Sequence, residues 1–172
     1  MDCNEILYEI PKMRMKMVPE GVIRFKSEPC VMNADEALRF ALAELRDSDR
    51  EVVGVINVTS SLDVINWNTV AVGGLTEAVF TPKDTFKSSI LSNAYGIILF
   101  HCHPNGGATP LEDDLEVTRR LAAAGNILGI TLLDHIIIGC GWGGNGKTMS
   151  LKEEYPELFC GGGDEYIPLK ME

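Results

Sequence analysis

The sequence has no Cys-x-x-Cys pair, and its five cysteines are odd in number and scattered. That argues against a disulfide framework. No apolar stretch approaches the length needed to cross a bilayer, so no membrane association is expected. Basic residues are few: 15 Lys and Arg stand against 25 Asp and Glu, a formal net charge of −10. Tight nucleic-acid binding normally needs a basic surface that releases counterions, so nucleic acid is disfavoured as a partner. Lys12, Arg14 and Lys16 are the only three basic residues within five positions of one another, and no aromatics interleave them. Internal repeats and low-complexity linkers are absent. The acidic start, Met1-Asp2-Cys3-Asn4-Glu5, lacks a signal-peptide pattern, which makes cytoplasm the expected location. What remains is an ordinary globular composition, 45% hydrophobic and 23% charged, with enough chain for one domain over 1–172.

Histidine is also scarce, with three in the chain, yet two fall in His101-Cys102-His103-Pro104-Asn105-Gly106. This motif directly follows the apolar run Gly96-Ile97-Ile98-Leu99-Phe100, which reads as a buried strand. In an extended chain residues i and i+2 share a face, so His101 and His103 point one way and Cys102 the other. Cys102 is therefore not expected as a ligand. Thr109-Pro110-Leu111-Glu112 reads as a helix start, with Thr109 as N-cap, Pro110 at N1 and Glu112 at N3. Asp114 then falls early in this helix and Gly125 at its end. Two imidazoles and a carboxylate, with one position left open, are what a catalytic zinc ion takes. Singly, each residue has a plainer reading: a packed histidine, or a carboxylate favoured by a helix dipole. Their order and spacing together favour a metal site.

At these residues the sequence resembles the JAB/MPN (JAMM) metalloprotease fold, in its bacterial RadC-like branch. The pattern His-x-His-Pro-x-Gly is matched at 101–106, and Asp114 stands where the third ligand is expected. Thr118-Arg119-Arg120-Leu121 and Leu133-Asp134-His135-Ile136-Ile137-Ile138-Gly139 also look like that branch, and the likeness covers about 34–154. It implies an α/β fold: a mixed, curved β-sheet flanked by helices, with cytidine-deaminase-like architecture. It implies one Zn2+ per chain on His101, His103 and Asp114, and a peptide or protein substrate. It also implies an upstream Glu as general base and acid. Glu51, before the apolar run Val52–Val58, fits that place, although by itself it reads as part of the charged turn 46–51. The chain departs from the family at Leu111, where a Ser is thought to hydrogen-bond the oxyanion. Leucine cannot donate, and losing one such donor costs on the order of 100- to 1000-fold in rate. Asn105 is a candidate substitute donor or substrate contact.

Elsewhere, Met13, Met15 and Met17 alternate with Arg14 and Lys16, which predicts an amphipathic strand. It would pair with Val22-Ile23-Arg24-Phe25 across Pro19-Glu20-Gly21, giving N-terminal strands within 6–32. The methionines are read as core or edge packing, with contacts in a homo-oligomer as the alternative. Asn33 predicts a helix cap, with Glu36 at N3 and a helix to Leu45. A strand at Val52–Val58 and a second at Thr69–Val72, entered by Trp67, predict a hairpin. Thr81-Pro82 opens a helix to about Asn93, and Leu132–Ile138 reads as a strand. Gly141-Trp142-Gly143-Gly144-Asn145-Gly146-Lys147-Thr148 matches the phosphate-loop string, but no helix start follows. It reads as a turn between two strands, the second at Met149–Lys152. A mobile tail is expected over 158–172.

Two functions compete. One is a zinc-dependent metalloprotease or isopeptidase. The other, supported by Leu111, is a catalytically weak zinc-binding scaffold. A nucleobase deaminase is disfavoured because its His-x-Glu and Pro-Cys-x-x-Cys elements are missing. A metal-dependent nuclease fits the ligands alone but not the acidic charge.

Overall fold

A computed structural model describes residues 14–24, 30–45, 48–73, 80–140 and 147–160. Its centre is β3 (Gly96–His103), in which all eight residues are buried. A strand buried on both faces reads as a continuous apolar run, as this one does up to His101. Antiparallel to it lies β1 (Val52–Val58), which forms a hairpin with the edge strand β2 (Val64–Val72). On the other side β4 (Thr131–Gly139) runs parallel to β3, and β5 (Thr148–Ser150) closes the sheet antiparallel to β4. The order is β2-β1-β3-β4-β5, an open mixed sheet.

Helices cover both faces. The helix α1 (Ala34–Leu45) lays Ala37, Phe40, Ala41 and Leu45 on Ile56, Val58, Ile98, Phe100, Ile136 and Ile138. Its start is built as its sequence dictates: the Glu36 N–H donates to Asn33 Oδ1 at 2.9 Å, and the Met32 N–H to Glu36 Oε2 at 2.7 Å. On the opposite face sit α2 (Pro82–Leu91) and α3 (Glu112–Leu128), where Phe86 and Leu121 pack on Val53, Val55, Ile97 and Leu99. Thr81 opens α2, its backbone N–H donating to Asp84 Oδ2 at 3.2 Å. Consecutive residues of β3 thus serve different layers: 97, 99, 101 and 103 face α2 and α3, and 98, 100 and 102 face α1.

Several expectations are corrected. Residues 14–24 form no strand, and Met15 is 77% exposed. The period-two pattern there pairs with no strand among the described residues, and the rest of the expected hairpin, Met13 and Phe25 included, lies outside them. The second hairpin strand begins at Val64, well before Thr69. The helix after Thr81 stops at Leu91. The helix after the histidines is capped by Leu111, not Thr109, which is exposed. It ends at Gly129, whose φ of 69° is the left-handed cap geometry glycine favours. Gly125 lies inside the helix, and its lack of a side chain serves packing: a Cβ there would meet the Ile130 carbonyl oxygen at 2.4 Å. The final strand stops at Ser150, where the Ser150 Oγ caps a short helix, α4 (Leu151–Glu154). At the start of the expected tail, Leu158 is buried in a 3-10 turn over Pro156–Phe159, and 161–172 lie outside the described residues. The glycine-rich segment 141–146 also lies outside them, but it connects β4 to its antiparallel neighbour β5. A phosphate loop would need a helix there, so that reading is set aside.

Candidate metal centre

Strand alternation brings His101 and His103 to the face covered by α3, and both are buried. Their rings stand nearly perpendicular, 4.7 Å apart at the centroids. Cys102 points to the other layer, with its Sγ 3.9 Å from the carbonyl oxygens of Leu45 and Arg50. After His103 the chain turns sharply. The Asn105 Oδ1 accepts the Gly107 N–H at 2.8 Å, and the loop settles onto the end of β4. Only glycine permits that approach, since a Cβ on Gly139 would lie 2.2 Å from the Gly106 carbonyl oxygen.

The loop delivers α3 with Asp114 in its first turn. The Leu111 N–H donates to Asp114 Oδ2 at 2.7 Å, so the carboxylate caps the helix that carries it. This is why the helix starts later than Thr109: the carboxylate at the third helical position, not a threonine hydroxyl, satisfies the free N–H. Asp114 Oδ1 lies 2.9 Å from His101 Nδ1, and Oδ2 lies 3.5 Å from His103 Nε2. Burial pushes the Asp114 carboxyl up. The two imidazoles and the Leu111 N–H outweigh that and hold it well below the usual carboxylate range.

One atom from each of His101, His103 and Asp114 falls within 4.8 Å of the others, and all three residues are buried. Among the described residues, His101 Nδ1, His101 Nε2 and His103 Nε2 are buried without a well-aligned hydrogen bond. Unpaired buried nitrogens are costly in an apolar layer. Converging on a carboxylate, they form a donor set that suits a divalent cation, and the three residues could hold a metal ion.

Glu51, just before β1, is also at this centre. It is 7% exposed, and its Oε2 lies 3.7 Å from His101 Nε2. The charged turn divides at this point: Asp49 and Arg50 pair in solvent at 2.8 Å, while Glu51 takes the inward face that Val53 and Val55 continue. Phe80 closes the edge of His101, at 6.4 Å between ring centroids. Asn105 is exposed, with its amide oxygen already engaged by the loop. Leu111 is 59% exposed beside the site.

The sequence reading gave His135 and Thr118 no role. His135 lies in β4, fully buried, with its Nδ1 2.6 Å from Thr118 Oγ1. Its ring stacks on that of His101 at 6.2 Å with an interplanar angle of 14°. Burial first, then repulsion from His101, lowers its pKa to about 3. The available signal was the polar pair Asp134-His135 in the middle of a largely apolar strand.

A mixed sheet between helical layers, with two imidazoles and a carboxylate at the end of its central strand, defines a JAB-type α/β domain with a potential metal centre. The family model for the RadC-like JAB domain matches residues 31–156, and the chain belongs to that family. It is 39% identical over 134 residues to a UPF0758 protein of Listeria monocytogenes, covering 78% of this chain and 58% of the relative. It is 38% identical over 124 residues to one from Caldanaerobacter subterraneus, covering 72% and 51%. A third, from Moorella thermoacetica, is 39% identical over 127 residues, covering 74% and 53%. The chain spans about half the length of these relatives. Among the described residues no helix is long and apolar enough to cross a membrane.

Proposed function

We propose that the domain is a zinc-dependent amide hydrolase of the metallopeptidase or isopeptidase type, acting on a peptide or protein. The reading rests on one observation above all: a buried His101, His103 and Asp114 cluster with the Glu51 carboxylate beside it. Bound zinc would supply Lewis acidity and a water acidic enough to ionise near neutral pH. His101, His103 and Asp114 would hold the ion, about one per chain. Glu51 would take a proton from the attacking water and return it to the departing amine. Phe80, against His101, would help to keep bulk water out.

The test has two stages. Purified protein should carry about one zinc per chain, and the His103→Ala variant should carry none. A peptide library digested by wild type and by Glu51→Gln, and read by mass spectrometry, then tests chemistry. Cleavage that persists unchanged in Glu51→Gln would sink the assignment of that residue. A second reading, a zinc-binding module with weak catalysis, is favoured by Leu111, which puts an exposed aliphatic side chain where the family's hydroxyl donor is expected.

A further inference from the structure

We propose that His135 is a positioning residue of the metal centre: through Thr118 it fixes the turn of α3 that carries Asp114, and through its ring it fixes the imidazole of His101. This rests on the metal-centre reading above. The chain of contacts is short. Thr118 Oγ1 lies 2.5 Å from the Asp114 carbonyl oxygen and 2.6 Å from His135 Nδ1. A threonine hydroxyl has one proton, and a carbonyl can only accept. Thr118 therefore donates to Asp114, and His135 Nδ1–H donates to Thr118. That fixes the His135 tautomer and leaves Nε2 as a lone pair, buried without a partner among the described residues.

An aromatic or aliphatic side chain would fill this position in an apolar strand with no orphaned nitrogen. Among the described residues, the one hydrogen bond that the His135 side chain makes is the bond to Thr118. The bond ties β4 to the first turns of α3, while His101 and His103 stand on the neighbouring strand β3. His135 thus spans both elements that contribute ligands: a hydrogen bond on the Asp114 side and ring stacking on the His101 side. Groups that orient metal ligands from behind typically control affinity 10- to 100-fold.

Co2+ binding to metal-stripped protein tests this, read by affinity and by the visible ligand-field spectrum. His135→Phe keeps a ring and loses the N–H; His135→Asn keeps a donor near the Nδ1 position and loses the ring. His135→Phe is expected to weaken Co2+ binding about 10- to 100-fold and to alter the spectrum, with His135→Asn recovering the part carried by the Thr118 bond but not the part carried by ring stacking on His101. Thr118→Val should behave like His135→Phe, and Thr118→Ser like wild type. If His135→Phe does not fold by circular dichroism, the Thr118→Val and Thr118→Ser pair decides alone. Wild-type affinity and spectrum in His135→Phe or Thr118→Val would overturn the proposal and leave the metal centre standing. Failure of wild type itself to take up Co2+ would overturn both. Long-range 15N NMR of the metal-free protein adds a check: an Nε2–H tautomer at His135 would contradict the donor assignment.

Discussion

Lowering the pH of the metal-free protein should destabilise it through His135 in particular. The ordinary histidine pKa is 6.5, and burial lowers that of His135 to about 3. Between those values the unfolded chain binds a proton that the folded chain refuses. Stability therefore rises with pH across this window and falls as pH drops through it. Going from about pH 7.5 to about pH 5 spans roughly 1.5 units below the unfolded pKa, at 1.36 kcal/mol per unit, a loss of about 2 kcal/mol. For a chain of this size that lowers Tm by roughly 4–8 °C. Urea unfolding at several pH values, on wild type and on His135→Asn, isolates the effect, because His101 and His103 are common to both proteins. His135→Asn should be less stable at neutral pH, and its stability should fall less steeply on acidification. Parallel pH profiles for the two proteins would refute the reasoning, since they would mean that His135 takes up its proton without unfolding.

Replacing Leu111 by Ser restores a hydroxyl beside the site; if the domain is a degenerate hydrolase, cleavage of a peptide library should rise on the order of 100- to 1000-fold, and no gain favours a binding module. Asp114→Ala should lose zinc, measured by metal analysis. It should also cost about 1 kcal/mol of stability in denaturant unfolding, because the Leu111 N–H loses its acceptor. Gly139→Ala puts a Cβ 2.2 Å from the Gly106 carbonyl oxygen, so the loop after His103 must move; a stability loss of about 1–3 kcal/mol with weakened metal binding is expected, and calorimetry beside a zinc titration checks both.

The parts of this fold that could be read from sequence are those set by local rules. β1, β3 and β4 are largely apolar and buried on both faces, the Asn33 side chain accepts the free Glu36 N–H at the start of α1, and the Asp84 carboxylate accepts the free Thr81 N–H at the start of α2. Alternation alone put His101 and His103 on one face and Cys102 on the other. The failures share a cause, which is competition between a local signal and a tertiary partner. Thr109-Pro110 is a good helix start, but the Asp114 carboxylate takes the Leu111 N–H and moves the start along the chain. Met15 and Met17 have strand periodicity and pair with no strand among the described residues. The strand expected after Thr148 is cut short because Asp134, buried in β4, accepts the Ser150 hydroxyl at 2.7 Å and the Lys152 N–H at 3.0 Å, so the chain turns into α4.

Glu51 shows what pairing adds that a linear pattern cannot. By composition it belongs to a charged turn, and no spacing rule links it to a histidine fifty positions onward. The link is the antiparallel register of β1 and β3, which sets Val52 opposite Cys102 and Val53 opposite His101. The start of one strand therefore lies beside the end of the other. Inward alternation through Val53 and Val55 turns the Glu51 carboxylate to the layer that holds the two imidazoles, 3.7 Å from the nearer one. The parallel pairing of β3 with β4 acts in the same way on the other flank, setting His135 opposite Leu99, behind His101. One strand end thus gathers a carboxylate from the preceding hairpin, two imidazoles of its own, a carboxylate from the following helix and a third imidazole from the next strand. The sheet order and the crossover through α3 bring these groups together, and any chemistry at the site depends on both.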